Sequence, residues 1–171
     1  MDITIFGENS LKIKGKKVTF VIDPGKEMPK TSADAIILSG ERNADISRVT
    51  DSRIVIAGPG SYEVGGIKVS GLKTPKGIVY RLLVDDIVTI LGSSTDVKVE
   101  GYDSCQVAII NTTNDFSESY VTALEPKSTI LYGENKVESA KKLGAESIIE
   151  VPKITILKDK LPEKMEISVL G

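Results

Sequence analysis

Between Ile3 and Leu91 the apolar residues fall into short runs separated by polar gaps of turn length: residues 3–6, 11–13, 18–22, 35–38, 53–57, 67–69, 78–84 and 87–91. Runs this short do not carry a helical stripe, so they must bury their apolar side chains by pairing as strands. Turn-forming residues sit where pairing needs them, with Lys14-Gly15-Lys16 closing an early hairpin, Gly65-Gly66 before a short strand and Asp85-Asp86 between two long apolar runs. Beyond residue 100 the pattern changes. Apolar strands at 107–110, 129–132 and 147–151 alternate with helical signals, and a last strand is expected at 154–157. The helix at 117–124 opens on a Ser117 cap, that at 136–143 ends at Gly144, and a further short helix is expected at 44–49. Strand after strand followed by alternating strand and helix predicts a layered α/β sandwich.

A length of 171 residues with 40% apolar content predicts a single domain spanning 1–171. The charged fraction is 27% and the formal net charge −2, so there is no electrostatic footprint for nucleic acid. Asp2 stands where a signal peptide would be basic, and the apolar runs are too short to cross a bilayer, so no membrane partner is expected. The single cysteine, Cys105, reads as a small core residue beside the strand at 107–110 and fits a reducing compartment; the expected location is cytoplasmic.

Three apolar strands run into polar loops: residues 34–38 into Ser39-Gly40-Glu41-Arg42-Asn43-Ala44-Asp45, 87–91 into Gly92-Ser93-Ser94-Thr95-Asp96, and 129–132 into Gly133-Glu134-Asn135. Sites in layered α/β proteins collect at such strand ends. Read in order, the segments resemble the metallo-β-lactamase superfamily, in particular the compact branch related to L-ascorbate 6-phosphate lactonase. The resemblance rests on Ile5-Phe6-Gly7-Glu8-Asn9-Ser10, on Val21-Ile22-Asp23-Pro24, on Ala33-Asp34-Ala35-Ile36-Ile37-Leu38-Ser39, on Gly58-Pro59-Gly60-Ser61-Tyr62-Glu63-Val64-Gly65-Gly66-Ile67, and on the tail at 154–170 with Asp159-Lys160-Leu161-Pro162-Glu163. It covers almost the whole chain. It implies a four-layer αββα sandwich of the metallo-β-lactamase type, with Asp23 supporting the site's loops.

The departures from the family fall on its metal site. Where the resemblance implies H-x-H-x-D-H, the chain reads Gly40-Glu41-Arg42-Asn43-Ala44-Asp45; the next histidine position falls at about Lys76, the bridging aspartate at Ser93 and the last histidine at Gly133. The chain contains no histidine at all. Zinc sites are built from imidazole, thiolate and the occasional carboxylate, so no ordinary zinc site can be assembled and no metal cofactor is expected. The metal-activated water that serves as the family's nucleophile goes with it.

What remains is a vestigial pocket expected to comprise Glu8, Gly40, Glu41, Arg42, Asp45, Lys76, Ser93 and Gly133. If Glu8, Glu41, Asp45 and Glu134 converged, magnesium or calcium could bind through oxygen; alternatively Arg42 neutralises these acids as an ion-pair cluster. Ser93 and Ser94 lack any base to act as nucleophiles, Gly58-Pro59-Gly60 and Gly65-Gly66 fit turns rather than a phosphate cradle, and Lys14, Lys16 and Lys17 read as a solvated hairpin tip. The expectation is a non-catalytic protein that uses the former cleft or an oligomer surface to bind a small molecule or a protein, with a homo-oligomer compatible with that role. The alternatives are a carboxylate-based hydrolase of a small phosphorylated or cyclic ester, with or without magnesium, and a purely structural subunit whose cleft is filled by side chains.

Overall fold

The computed structural model describes residues 1–40, 44–75, 77–93, 101–114 and 116–171. The chain opens as a meander in which β1 (Asp2–Phe6), β2 (Ser10–Lys14) and β3 (Thr19–Ile22) pair antiparallel. Of the next strands, β4 (Thr31–Ser32) and β6 (Val49–Thr50) pair only with each other, whereas β5 (Ala35–Ile37) and β7 (Ile54–Ile56) extend the sheet parallel to β3. A second meander follows: β8 (Gly60–Val64), β9 (Ile67–Thr74), β10 (Gly77–Val84) and β11 (Ile87–Ser93). Then β12 (Val107–Asn111), α1 (Glu118–Ala123), β13 (Ser128–Tyr132) and α2 (Lys136–Lys142) alternate, with β12 and β13 parallel to β11. The tail is shared between the sheets. Strands β14 (Glu150–Val151) and β16 (Glu166–Leu170) join β13, while β15 (Lys153–Thr155) crosses to pair with β1.

The result is a six-stranded sheet, β15-β1-β2-β3-β5-β7, facing an eight-stranded one, β14-β16-β13-β12-β11-β10-β9-β8. Strand alternation divides the side chains between layers. Ile3, Leu11, Ile13, Phe20, Ile22, Ile37 and Ile56 of the first sheet meet Val69, Tyr80, Leu82, Leu91, Val107, Ile109 and Ile130 of the second in the central core. The opposite face of the larger sheet, with Val79, Ile90, Ala108, Ile110 and Leu131, is covered by α1 and α2 through Tyr120, Val121, Leu124 and Ala140. On the outer face of the smaller sheet, Val21 and Ile36 pack under Met28, Ala33 and Val49. This is the mixed α/β sandwich expected, with its fourth layer thin. That layer holds the β4–β6 pair and a single 3-10 turn at Ile46–Arg48, where a short helix was expected at 44–49.

Local chemistry accounts for the boundaries. Asp85 and Asp86 both take left-handed backbone (φ +52° and +61°), which matches the twist of a two-residue hairpin and sets Val84 opposite Ile87. The Ser117 side chain accepts from Tyr120 N (3.2 Å) to start α1. The apolar reading of 67–69 extends to Thr74, and β8 occupies residues that the glycines made look like turn. The strand expected at 147–151 is present only as Glu150–Val151. No helix among the described residues is long and apolar enough to cross a membrane.

Candidate functional site

Parallel strands point the same way, so β3, β5 and β7 of one sheet and β11, β12 and β13 of the other deliver their carboxyl ends to a common edge of the sandwich. There the central core gives way to a cleft of about 540 Å³ lined by Leu38, Ser39 and Gly40 after β5, Ala57 after β7, Lys73, Thr74 and Pro75 at the end of β9, Gly77 and Ile78 at the start of β10, Ser93, Asn111 and Asn114.

One wall of the cleft is held by Asp23, which is 7% exposed and adopts φ +44° at the end of β3. Aspartate is among the few residues that take this conformation readily. Its Oδ1 accepts from Ser39 N (2.8 Å) and its Oδ2 from the Ser39 hydroxyl, so the β5 loop is pinned to the β3 end, as the resemblance implied for this residue. Ser10 Oγ donates to Asp23 O (2.9 Å) and accepts from Gly25 N (2.8 Å), fixing the following turn. A second brace crosses between the sheets. Tyr80, fully buried on β10, donates its hydroxyl to Leu38 O (3.0 Å), and burial pushes that phenol well above its ordinary value. Ile78 N donates to Ser39 O (2.8 Å), an approach so close that a Cβ at Gly77, where φ is +135°, would stand 2.5 Å from that oxygen. Glycine is required there.

The opposite wall is a polar network between distant loops. Asn9 Oδ1, in the turn between β1 and β2, accepts from Asn111 Nδ2 (3.2 Å) and Thr113 Oγ1 (2.8 Å). Asn111 Oδ1 in turn accepts from Thr113 N (3.0 Å), and Thr113 Oγ1 accepts from Glu134 N (3.4 Å). This network packs against Gly133 at the end of β13. A Cβ at Gly133, where φ is +99°, would lie 2.6 Å from Thr113 Oγ1, 3.0 Å from Thr113 N and 3.1 Å from Asn111 Oδ1. No side chain can stand at position 133 without dismantling the network.

The residues picked out in the sequence are distributed unevenly. Gly40 and Ser93 line the cleft, and Gly133 lies behind its wall, beside Asn111. Glu8 is exposed at the tip of the β1–β2 turn; it is the adjacent Asn9 that enters the network. Asp45 does not line the cleft. Its carboxylate accepts from Ser47 Oγ (2.6 Å) and Ser47 N (3.2 Å) and stands 3.4 Å from Arg48 Nε, capping the 3-10 turn. The Ser47 hydroxyl is the main cause holding that carboxyl below its usual range. Glu41, Arg42 and Lys76 lie outside the described residues. Asn9, Asn111, Thr113 and Lys73 were missed. The signal for Asn111 and Thr113 was available, since Asn111-Thr112-Thr113-Asn114 is another polar run following an apolar strand.

Fold and site together define a protein of the metallo-β-lactamase fold, and residues 2–85 match the sequence profile of the Beta-lactamase superfamily domain. Among solved structures, the chain is similar to a candidate Zn-dependent hydrolase of the metallo-β-lactamase superfamily from Thermotoga maritima, with a TM-score of 0.80, 23% identity, and coverage of 99% of this chain and 97% of that one. A possible metal-dependent hydrolase from Veillonella parvula aligns at TM-score 0.56 and 12% identity, over 91% of this chain and 99% of that one. CmlA, a diiron β-hydroxylase from Streptomyces venezuelae, aligns at TM-score 0.57 and 10% identity, over 78% of this chain and 45% of its own. At these identities the likeness is one of fold. No curated protein matches the sequence.

The residues present do not fit the transition metals named for those relatives. The chain has no imidazole, and among the described residues no three of Cys, Asp and Glu come together as a ligand group. At Gly133 a ligating side chain is excluded by packing as well as by identity.

Proposed function

We propose that this chain, as one domain over residues 1–171, is a metal-independent binding protein that uses the strand-end cleft for a small-molecule ligand and carries out no hydrolysis. One observation carries the reading: Thr113 and Asn111 occupy the space a side chain at Gly133 would need, yet the neighbouring cleft of about 540 Å³ stays open. Loss of ligands alone would leave an eroded enzyme. Here the space beside Gly133 is taken up by a hydrogen-bonded wall, while the cleft has a volume of about 540 Å³, inside the range of about 300–1,000 Å³ typical of small-molecule sites. A filled cleft would have favoured a purely structural subunit. Among the described residues, the acids that could serve a carboxylate mechanism are committed elsewhere, Asp45 to capping a turn and Asp23 to bracing Ser39; Glu41 lies outside them. The test is elemental analysis of the purified protein after dialysis without chelator. Zinc, iron and manganese are expected well below stoichiometric, with thermal unfolding unchanged by EDTA. A stoichiometric transition metal that EDTA strips with loss of stability would overturn the reading.

A further inference from the structure

Resting on the binding role proposed for this cleft, we infer that its ligand is a small anion bearing carboxylate or phosphate oxygens, held by the Lys73 ammonium together with the Ser93 hydroxyl and the Asn114 amide. Strand alternation places these groups. Val69, Gly71 and Lys73 share one face of β9; Val69 is in the central core, Gly71 lies over the Tyr80 ring, and Lys73 comes at the open end of the same face. By the same alternation Ser93 follows Leu91, and Asn111 follows Val107 and Ile109, on the core-facing side of the larger sheet. Core-facing positions of a sandwich are apolar unless a polar side chain there has a partner or faces a ligand or water. At this one edge the polar side chains line an open cleft.

The charge balance of the lining is one-sided. The chain as a whole carries 24 acids against 22 bases. Among the described residues that line the cleft, however, Lys73 is charged and the other polar side chains are the hydroxyls of Ser39, Thr74 and Ser93 and the amides of Asn111 and Asn114. No described carboxylate forms an ion pair with Lys73. Asp23, a described acid bonded to the lining, accepts both donors of Ser39. In the sequence, the segments flanking the lining carry Glu41, Asp96, Glu100 and Asp115 against Arg42, Lys76 and Lys98, which is close to balance. Ser39 and Thr74 already donate their hydroxyl protons, to Asp23 and to Gly77 O (3.1 Å), so the anchor for an oxyanion is the Lys73 ammonium with Ser93 and Asn114, and a neutral ligand finds none comparable.

The test is a titration of the full-length, 15N-labelled protein with inorganic phosphate, with citrate and with glucose, followed through backbone amide shifts. Phosphate or citrate is expected to give saturable shifts at Gly40, Gly77, Ser93 and Asn111 that weaken with added salt, and whichever binds more tightly separates phosphate from carboxylate. K73Q, a change at an exposed side chain, is expected to weaken that binding roughly tenfold, the loss of one charge-assisted contact. Shifts with glucose and none with either anion would overturn the ligand class and leave the binding cleft standing. Anion shifts scattered away from the cleft, or unaffected by K73Q, would overturn the inference as general surface association. Silence of the cleft to all probes at tens of millimolar would count against the ligand class and the binding role together.

Discussion

Gly133→Ala is the sharpest probe of the polar wall. The added Cβ would stand 2.6 Å from Thr113 Oγ1, well inside contact distance, and the residue would have to hold φ +99°. Positive φ costs a non-glycine residue about 1–2 kcal/mol. Pushing Thr113 aside sacrifices its 2.8 Å bond to Asn9 Oδ1 and loosens the 3.0 Å bond from its own N–H to Asn111 Oδ1, at about 1 kcal/mol for each one lost. The sum is about 2–4 kcal/mol. A chain of this size loses about 2–4 °C in Tm per kcal/mol, so a drop of roughly 5–15 °C is expected in thermal unfolding followed by circular dichroism. Thr113→Ala alone removes the Oγ1 bond and should cost about 1 kcal/mol. The double variant should cost less than the sum by about 1 kcal/mol, because the worst contact is gone while the backbone strain persists. A neutral Gly133→Ala, or strict additivity with Thr113→Ala, would mean that position 133 is open, and the argument that a ligand cannot be restored there would fail.

Three further outcomes follow from the same geometry. Asp23→Ala removes the acceptor for both Ser39 N and Ser39 Oγ and should lower urea-unfolding stability by about 2–4 kcal/mol, against about 1 kcal/mol for Ser39→Ala; equal costs would show that the backbone bond contributes nothing. Burial pulls the Asp85 carboxyl upward, but hydrogen bonds from Lys16 N and the Met1 ammonium outweigh it and leave the carboxyl below its usual range. A depressed acid stabilises the fold above its unfolded value of about 4 and loses that contribution as pH falls through the folded value. Asp85→Asn, which keeps an acceptor for Lys16 N and tolerates the positive φ, should therefore cost about 0.5–1 kcal/mol at pH 7 and progressively less below pH 4; a pH-independent cost would refute the charge argument. Cys105 is 8% exposed, and burial pushes its thiol up to about 12, so at pH 8 it should react with a thiol reagent at least a hundredfold more slowly in the native protein than in urea; comparable rates would place it at the surface.

The strands of the two meanders were legible because their signals are local. Asp85-Asp86 and Gly65-Gly66 mark two-residue turns, and the apolar runs on either side supply the pairing partners. Both α-helices were legible from Ser117 and Gly144 for the same reason. The segment at 44–49 misled because Asp45, Ser47 and Arg48 satisfy one turn among themselves, which is enough to cap a 3-10 turn and too little to propagate a helix. β8 was hidden by its glycines, since Gly60 to Val64 gains its strand character from pairing with β9 rather than from its own propensity.

That these 171 residues cannot build a histidine-ligated metal site by themselves follows from the sequence alone, because a missing imidazole is a fact of composition that no folding can repair. What became of the site is a matter of tertiary structure. Asn9 and Thr113 are 104 residues apart, and Asp23 and Ser39 meet only because β3 and β5 lie side by side in the smaller sheet. Glu8 and Asp45 had the right chemistry and the right neighbours in sequence, yet one is turned to solvent and the other spends its carboxylate on a cap. Lys73 and Asn111, unremarkable in one dimension, reach the cleft because the period of two along a strand carries them to the inner face at the point where the core ends. Local patterns declare which element a residue belongs to; which strand ends meet, and which polar groups consume one another before a ligand arrives, is decided by pairings that local patterns do not encode.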